Sequence, residues 1–227
     1  MMIIKWIVCK VQPEKRDSFS FAQAKWAGLS DVPGFVGQLG GWDLRSANTA
    51  CIIGLWENES AYSSFMRDKH DTIYEGSHQA STYESIAVSL FEPIYAMPGS
   101  RANMVSALKD AKVVRVADCL VRPERVEHFQ LVQQEIWVPG MSSAPGMLGG
   151  SFNKASAAAT ARYLVTTLWE SEEQHESYTQ TMLPGLRTAA NVDDDVEGLT
   201  GHLIELKPDW FILSKSPSVT GTIKDLR

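Results

Sequence analysis

The feature that most constrains this chain is that it is written twice. Lys5-Trp6-Ile7-Val8-Cys9-Lys10-Val11-Gln12-Pro13-Glu14 returns as Arg115-Val116-Ala117-Asp118-Cys119-Leu120-Val121-Arg122-Pro123-Glu124. Cys9, Val11, Pro13 and Glu14 recur 110 residues later, as do Phe19 (Phe129) and Gln23 (Gln133). Trp26 returns as Trp137 after one inserted residue. Pro33-Gly34-Phe35-Val36-Gly37 returns as Pro145-Gly146-Met147-Leu148-Gly149, offset by 112, and Leu55-Trp56-Glu57 as Leu168-Trp169-Glu170, offset by 113. Order is kept and the gaps are small, so each copy is one structural unit. The 227 residues accordingly divide into a first repeat at 1–97, a linker at 98–111, a second repeat at 112–210 and a C-terminal tail at 211–227. The tail, with Ser214-Lys215-Ser216-Pro217-Ser218 and Gly221, reads as a loose surface extension.

Each copy reads as β-α-β-β-α-β. Ile3 to Val11 is rich in branched residues and predicts a strand. Pro13 and Glu14 suit the first turn of a helix, and Phe19, Ala22, Gln23 and Trp26 form its apolar stripe, with the glutamine at the stripe's edge. Two strands follow near 35–43 and 49–57, joined by the turn residues Asp43 to Asn48; the counterpart link is Asn153 to Ala158. Trp56-Glu57-Asn58-Glu59-Ser60 leads into a second helix, and a last strand is expected at about 84–92, with its counterpart at 197–206. This is the split unit of a ferredoxin-like sandwich, whose helices cover one sheet face only. Two sheets in one chain can cover each other. The expected fold class is therefore α+β: two ferredoxin-like βαββαβ units forming an intramolecular, pseudo-dimeric α/β barrel.

Composition narrows the partners. The net charge is −6, which argues against a nucleic-acid partner at large scale. The apolar N-terminus is too short and interrupted for a signal peptide, and no run reaches the ~20 apolar residues that cross a bilayer. Cys9, Cys51 and Cys119 sit singly in strand-like runs, as buried reduced thiols would. A cytoplasmic protein is expected, with no membrane partner, monomeric as a fused pseudo-dimer and open to further self-association.

The strand-1 runs, the two Pro-Gly turns at 33–37 and 145–149, and the Leu-Trp-Glu segments at 55–57 and 168–170 together resemble the antibiotic-biosynthesis-monooxygenase-like domain of the dimeric α/β-barrel superfamily. The resemblance covers roughly residues 2–95 and 112–208, and the whole chain resembles an uncharacterised bacterial tandem family of this type. It implies a fused version of what single-domain relatives make as dimers. The superfamily includes cofactor-free quinol or polyketide oxygenases, haem-degrading enzymes and proteins with no known chemistry.

The haem-degrading relatives use an Asn on strand one, a Trp in helix two and a His near that helix's end. Here Lys5 or Ile7 lies near the first position, Phe65 at the second, and His70 and His78 flank the third; in the second copy the corresponding residues are Asp118, Tyr178 and Leu183. That set is incomplete, so haem chemistry is not expected. Cofactor-free oxygenation needs an oxidisable aromatic substrate, a base and an apolar pocket. His70 and His78 are the candidate catalytic bases. Trp6 and Trp42 lack aromatic counterparts at 116 and 154 and, with Phe65, are the candidate substrate pocket. His175, among Glu172, Glu173 and Glu176, is expected on a charged solvent face, and Asp193-Asp194-Asp195 in a solvated loop. No cofactor and no metal are expected. The resulting expectation is a protein binding a small apolar or aromatic ligand, specifically a cofactor-independent monooxygenase of an aromatic or quinol-like substrate. The alternative is a non-catalytic ligand-binding or structural protein on the same scaffold.

Overall fold

The computed structural model describes residues 1–156 and 161–215. Its described part forms two compact units: Met1–Glu92 with the residues from Ile204 onward, and Pro93–Leu203.

The first unit follows the expected order. β1 (Ile3–Lys10) leads through a short 3-10 turn at Pro13–Lys15 into α1 (Arg16–Ala24), which tightens into a 3-10 stretch at Lys25–Asp31. β2 (Phe35–Asp43) and β3 (Thr49–Trp56) form the hairpin, and α2 (Glu59–Asp68) and α3 (His70–Ser77) follow as two short helices. β4 (Ser85–Met97) closes the repeat and is longer than the sequence suggested. β1 lies between β3 and β4, antiparallel to both, with Lys5 opposite Gly54 and Leu90.

The second unit repeats the plan. α4 (Met104–Asp110) precedes β5 (Val113–Val121), α5 (Val126–Val132), a π-helical turn at Gln133–Trp137 and α6 (Val138–Ser142). β6 (Met147–Ala155) and β7 (Arg162–Trp169) pair as the hairpin, then come α7 (Glu172–Thr181), α8 (Leu183–Ala190) and β8 (Val196–Leu206). β6 runs through Asn153, which pairs with Leu164 inside the sheet, so the expected link starts later. Residues 157–160 of that link lie outside the described residues.

β4 and β8 each run past a unit's boundary in the sequence. β4 pairs with β1 through Ser85–Phe91 and neighbours β6 farther along. β8 neighbours β5, and its last residues, Ile204–Leu206, pair with Asp43–Gly41 of β2. The pairing order β3-β1-β4-β6-β7-β5-β8-β2 returns to its start through β2–β3. The chain is thus an α+β fold of two ferredoxin-like units.

After β8 the chain continues in the first unit. Trp210 is buried, 5.6 Å from both Phe19 and Trp42 by ring centroids. β9 (Ile212–Leu213) pairs with Gly37 and Gln38 of β2, and the Lys215 amide donates to the Ser30 carbonyl. The start of the expected loose extension is therefore held by backbone hydrogen bonds and a buried Ile212. Ser216, Pro217, Ser218 and Gly221 lie outside the described residues.

Gln23 and Gln133, expected at the edge of their stripes, are both buried. For Gln23 the reason is a polar chain inside the core: Trp26 Nε1 donates to Gln79 Oε1, and Gln79 Nε2 donates to Gln23 Oε1, both at 2.8 Å. Each buried polar group finds a partner there, as burial requires.

Candidate functional site in the first unit

Side chains alternate along β1. Ile3 packs with Phe65 and Trp56, and Cys9 with Phe19, so the odd-numbered residues face the helices. Lys5 therefore enters the same helix-facing layer, while Trp6 lies on the opposite face of the strand.

The helix above Lys5 is set by its cap. Asn58 accepts the Ala61 amide at 2.9 Å, starting α2 directly after Trp56. Tyr62 and Phe65, one turn apart, then reach back onto Trp56. Phe65 stacks on Trp56 at 4.7 Å and Tyr62 meets its edge at 5.7 Å. At Lys69 the backbone leaves helical geometry (φ −134°), and α3 restarts at His70. The His70 ring sits 5.7 Å from each of Trp26, Phe65 and Tyr74. Its Nδ1 lies 2.9 Å from Asp71 Oδ1, which favours the proton on Nδ1 and leaves Nε2 to accept one.

The Lys5 ammonium lies 5.5 Å over the Tyr62 ring. It has no carboxylate partner among the described residues. Burial beside ring faces lowers its pKa to about 8, because the charged form loses water and gains only a quadrupole in return. Trp56 is 2% exposed, and its indole N–H has no acceptor among the described residues.

Of the expected site residues, the structure brings together His70 and Phe65. Trp6 is buried on the other face of β1. Trp42 belongs to a separate cluster with Phe19 and Trp210, and the Arg16 guanidinium covers its ring at 3.9 Å. His78 caps α3 in the left-handed conformation (φ 57°) and is exposed. The residues missed by sequence reasoning are Lys5 as a site member, Trp26, Trp56, Tyr62 and Tyr74. A lysine on the inward register of an apolar strand was the available signal.

The second unit differs at matched positions. Arg115 stands opposite Thr167 where Lys5 stands opposite Gly54. Trp169 Nε1 donates to Thr167 Oγ1 at 2.9 Å. His175 is 2% exposed and packs 5.2 Å from Trp169, which corrects the expected solvent face: α7 turns that side chain inward although its three glutamates face out. Asp195 also departs from the expected solvated loop. It is fully buried, accepting from Arg125 Nε at 2.7 Å and lying 2.6 Å from His128 Nδ1. Two cationic or donor side chains compensate its desolvation.

Among the described residues no group of three or more His, Cys, Asp or Glu is placed to hold a metal ion. No helix there is long and apolar enough to cross a membrane. Cys9, Cys51 and Cys119 are buried and form no disulfide among the described residues. A surface depression of about 140 Å³ is lined by Gln12, Lys15, Ser81, Thr82, Tyr83 and Glu84. Within this lining Gln12 Nε2 donates to Glu84 Oε1 at 2.7 Å.

A domain of unknown function, DUF4937, matches residues 3–91. The uncharacterized protein YdbC of Bacillus subtilis (strain 168) is 41% identical over 93 residues, spanning 40% of this chain and 78% of that protein. A Fusobacterium nucleatum protein provisionally assigned as a monooxygenase shares the fold with a TM-score of 0.71 at 13% identity, covering 90% of this chain and 92% of that one. An anthrone oxidase-like protein does so with a TM-score of 0.65 at 13% identity, covering 91% of both. At these identities the likeness shows a shared fold. Through its first repeat, the chain belongs to the family of the uncharacterized protein YdbC of Bacillus subtilis.

Proposed function

We propose that the first unit binds a small aromatic molecule against the Trp56, Tyr62, Phe65 and His70 rings and oxidises it with dioxygen as a cofactor-independent monooxygenase. The observation that carries this reading is the ring cluster itself, with a histidine at one end and the partly desolvated Lys5 at the other. Apolar rings with a few polar groups are what small-ligand sites are built from. The anthrone oxidase-like protein of the same fold supports a carbonyl-forming oxidation of an aromatic or quinol-like substrate.

His70 Nε2 accepts a proton from the substrate, giving its anion. The anion reduces dioxygen and combines with it at carbon. Loss of water from the resulting peroxide leaves a carbonyl. A ring CH₂ becomes C=O, one oxygen atom enters the product and the other leaves as water. The substrate and O₂ together supply every atom and electron.

A non-catalytic ligand-binding or structural role is favoured by one specific observation: His70 already contacts three rings, as a core residue would. Oxygen uptake with a panel of quinols, polyphenols and anthrones separates the two. Uptake that falls at least tenfold in His70→Gln is expected. No uptake with any panel member overturns the oxygenase reading.

A further inference from the structure

We propose that Lys5 and Trp56 form an oxyanion-binding subsite, which takes the phenolate or carboxylate oxygen of an aromatic ligand, and that Gly54 keeps it open. This rests on the reading that the first unit binds an aromatic molecule, and adds the charge and class of that molecule.

Three matched positions carry the inference. Gly54 stands opposite Lys5 in the sheet, two residues before Trp56, so all three share the helix-facing side of adjacent strands. A Cβ built on Gly54 would lie 3.7 Å from Lys5 Cβ and 3.7 Å from Trp56 Nε1, with no closer neighbour. The space above Gly54 is therefore bordered by the Trp56 indole N–H and by the root of the Lys5 side chain, whose ammonium lies against the Tyr62 ring. The matched place in the second unit is filled: Thr167 occupies it, and its hydroxyl takes the Trp169 indole proton at 2.9 Å.

The Trp56 N–H and the Lys5 ammonium both lack an acceptor among the described residues. A neutral apolar ligand would leave them unsatisfied; an anionic oxygen would accept from both in a charge-assisted contact. Half-buried Tyr62, under the ammonium, places the subsite at the rim of the ring cluster. The ligand's rings would lie along Trp56 and Phe65 with its oxyanion at Gly54. An anion beside Lys5 would raise the lysine's lowered pKa, so binding near pH 8.5 would take up protons.

The test is calorimetric titration of the full chain with 2-naphthoate and its neutral analogue 2-naphthamide, repeated at pH 8.5 in buffers of different ionisation enthalpy. The wild type is expected to bind naphthoate at least tenfold more tightly than naphthamide, with proton uptake. Lys5→Met should bring that ratio to within about twofold of one and abolish the proton uptake. Gly54→Thr, which refills the space as Thr167 does, should weaken both ligands at least tenfold with an unchanged circular dichroism spectrum. Equal affinity for the two probes, or a preference that survives Lys5→Met, overturns the subsite while leaving aromatic binding intact. No binding of either probe overturns both.

Discussion

Trp56 and Trp169 occupy the same position on matched strands of the two repeats; Trp169 donates its indole N–H to the Thr167 hydroxyl at 2.9 Å, whereas the Trp56 indole has no acceptor among the described residues. The difference lies two residues upstream, where Gly54 replaces the threonine. Gly54→Thr should therefore supply the missing acceptor and a β-branched side chain in a strand, at ordinary contact distances. It is expected to raise stability by about 1 kcal/mol, the net worth of a typical hydrogen bond, while lowering ligand affinity. Urea denaturation checks the stability; a loss of stability in a folded variant would mean that the space above Gly54 is not free.

The Lys5 ammonium makes stability depend on pH. Its folded-state pKa of about 8 lies below the ordinary 10.5, so the unfolded chain binds more protons between those values. This contribution therefore opposes folding most below pH 8 and fades as pH rises toward 10.5. Lys5→Met should be more stable than the wild type at pH 7, by about 1–3 kcal/mol. The gap should narrow as pH rises through that window. Parallel urea melts at pH 7, 8.5 and 10 measure it, and a gap that widens with pH would contradict the desolvation.

Asp195 is held by Arg125 and His128, and all three belong to the second unit. Asp195→Asn leaves a buried amide where a carboxylate had two partners. The expected cost is about 2–4 kcal/mol, below the full cost of breaking a buried pair because both partners reach solvent. His128→Gln should cost under about 1 kcal/mol, since Arg125 remains. Equal effects of the two substitutions in denaturation would contradict this division.

Gly34 adopts φ +74°, and a Cβ there would fall 2.4 Å from Ala61 Cβ on α2. Gly34→Ala combines left-handed strain with a clash and should cost about 2–4 kcal/mol. Gly76, inside α3, has no atom within 4 Å of its would-be Cβ. Gly76→Ala should stabilise by up to about 1 kcal/mol through helix propensity. Thermal melts of the two variants should shift in opposite directions.

These comparisons also show what the sequence could convey. The repeat exposed the element order because each recurring motif marks a backbone necessity: Gly34 and Gly146 both take positive φ at equivalent turns, and Asn58 and Ser171 both cap the helix that follows a Trp. What was hidden depends on long-range placement. Trp210 packs on Phe19 and Trp42 from far along the chain, because the end of β8 is hydrogen-bonded to the first unit. Asp195 looks like one of three surface acids until Arg125 and His128 are seen around it. His70 and Phe65 were legible as neighbours because both lie on the short α2–α3 segment. Lys5 gained its place only when strand register put it opposite Gly54 and its ammonium over the Tyr62 ring.

The most direct test is the indole region of a ¹H–¹⁵N spectrum recorded while 2-naphthoate is added. The chain has seven tryptophans, and Trp56→Phe and Trp169→Phe assign the two signals of interest. The expected result is a progressive shift of the Trp56 indole signal with the Trp169 signal unmoved. A Trp56 signal that stays in place while other indoles move would contradict a ligand seated on Trp56.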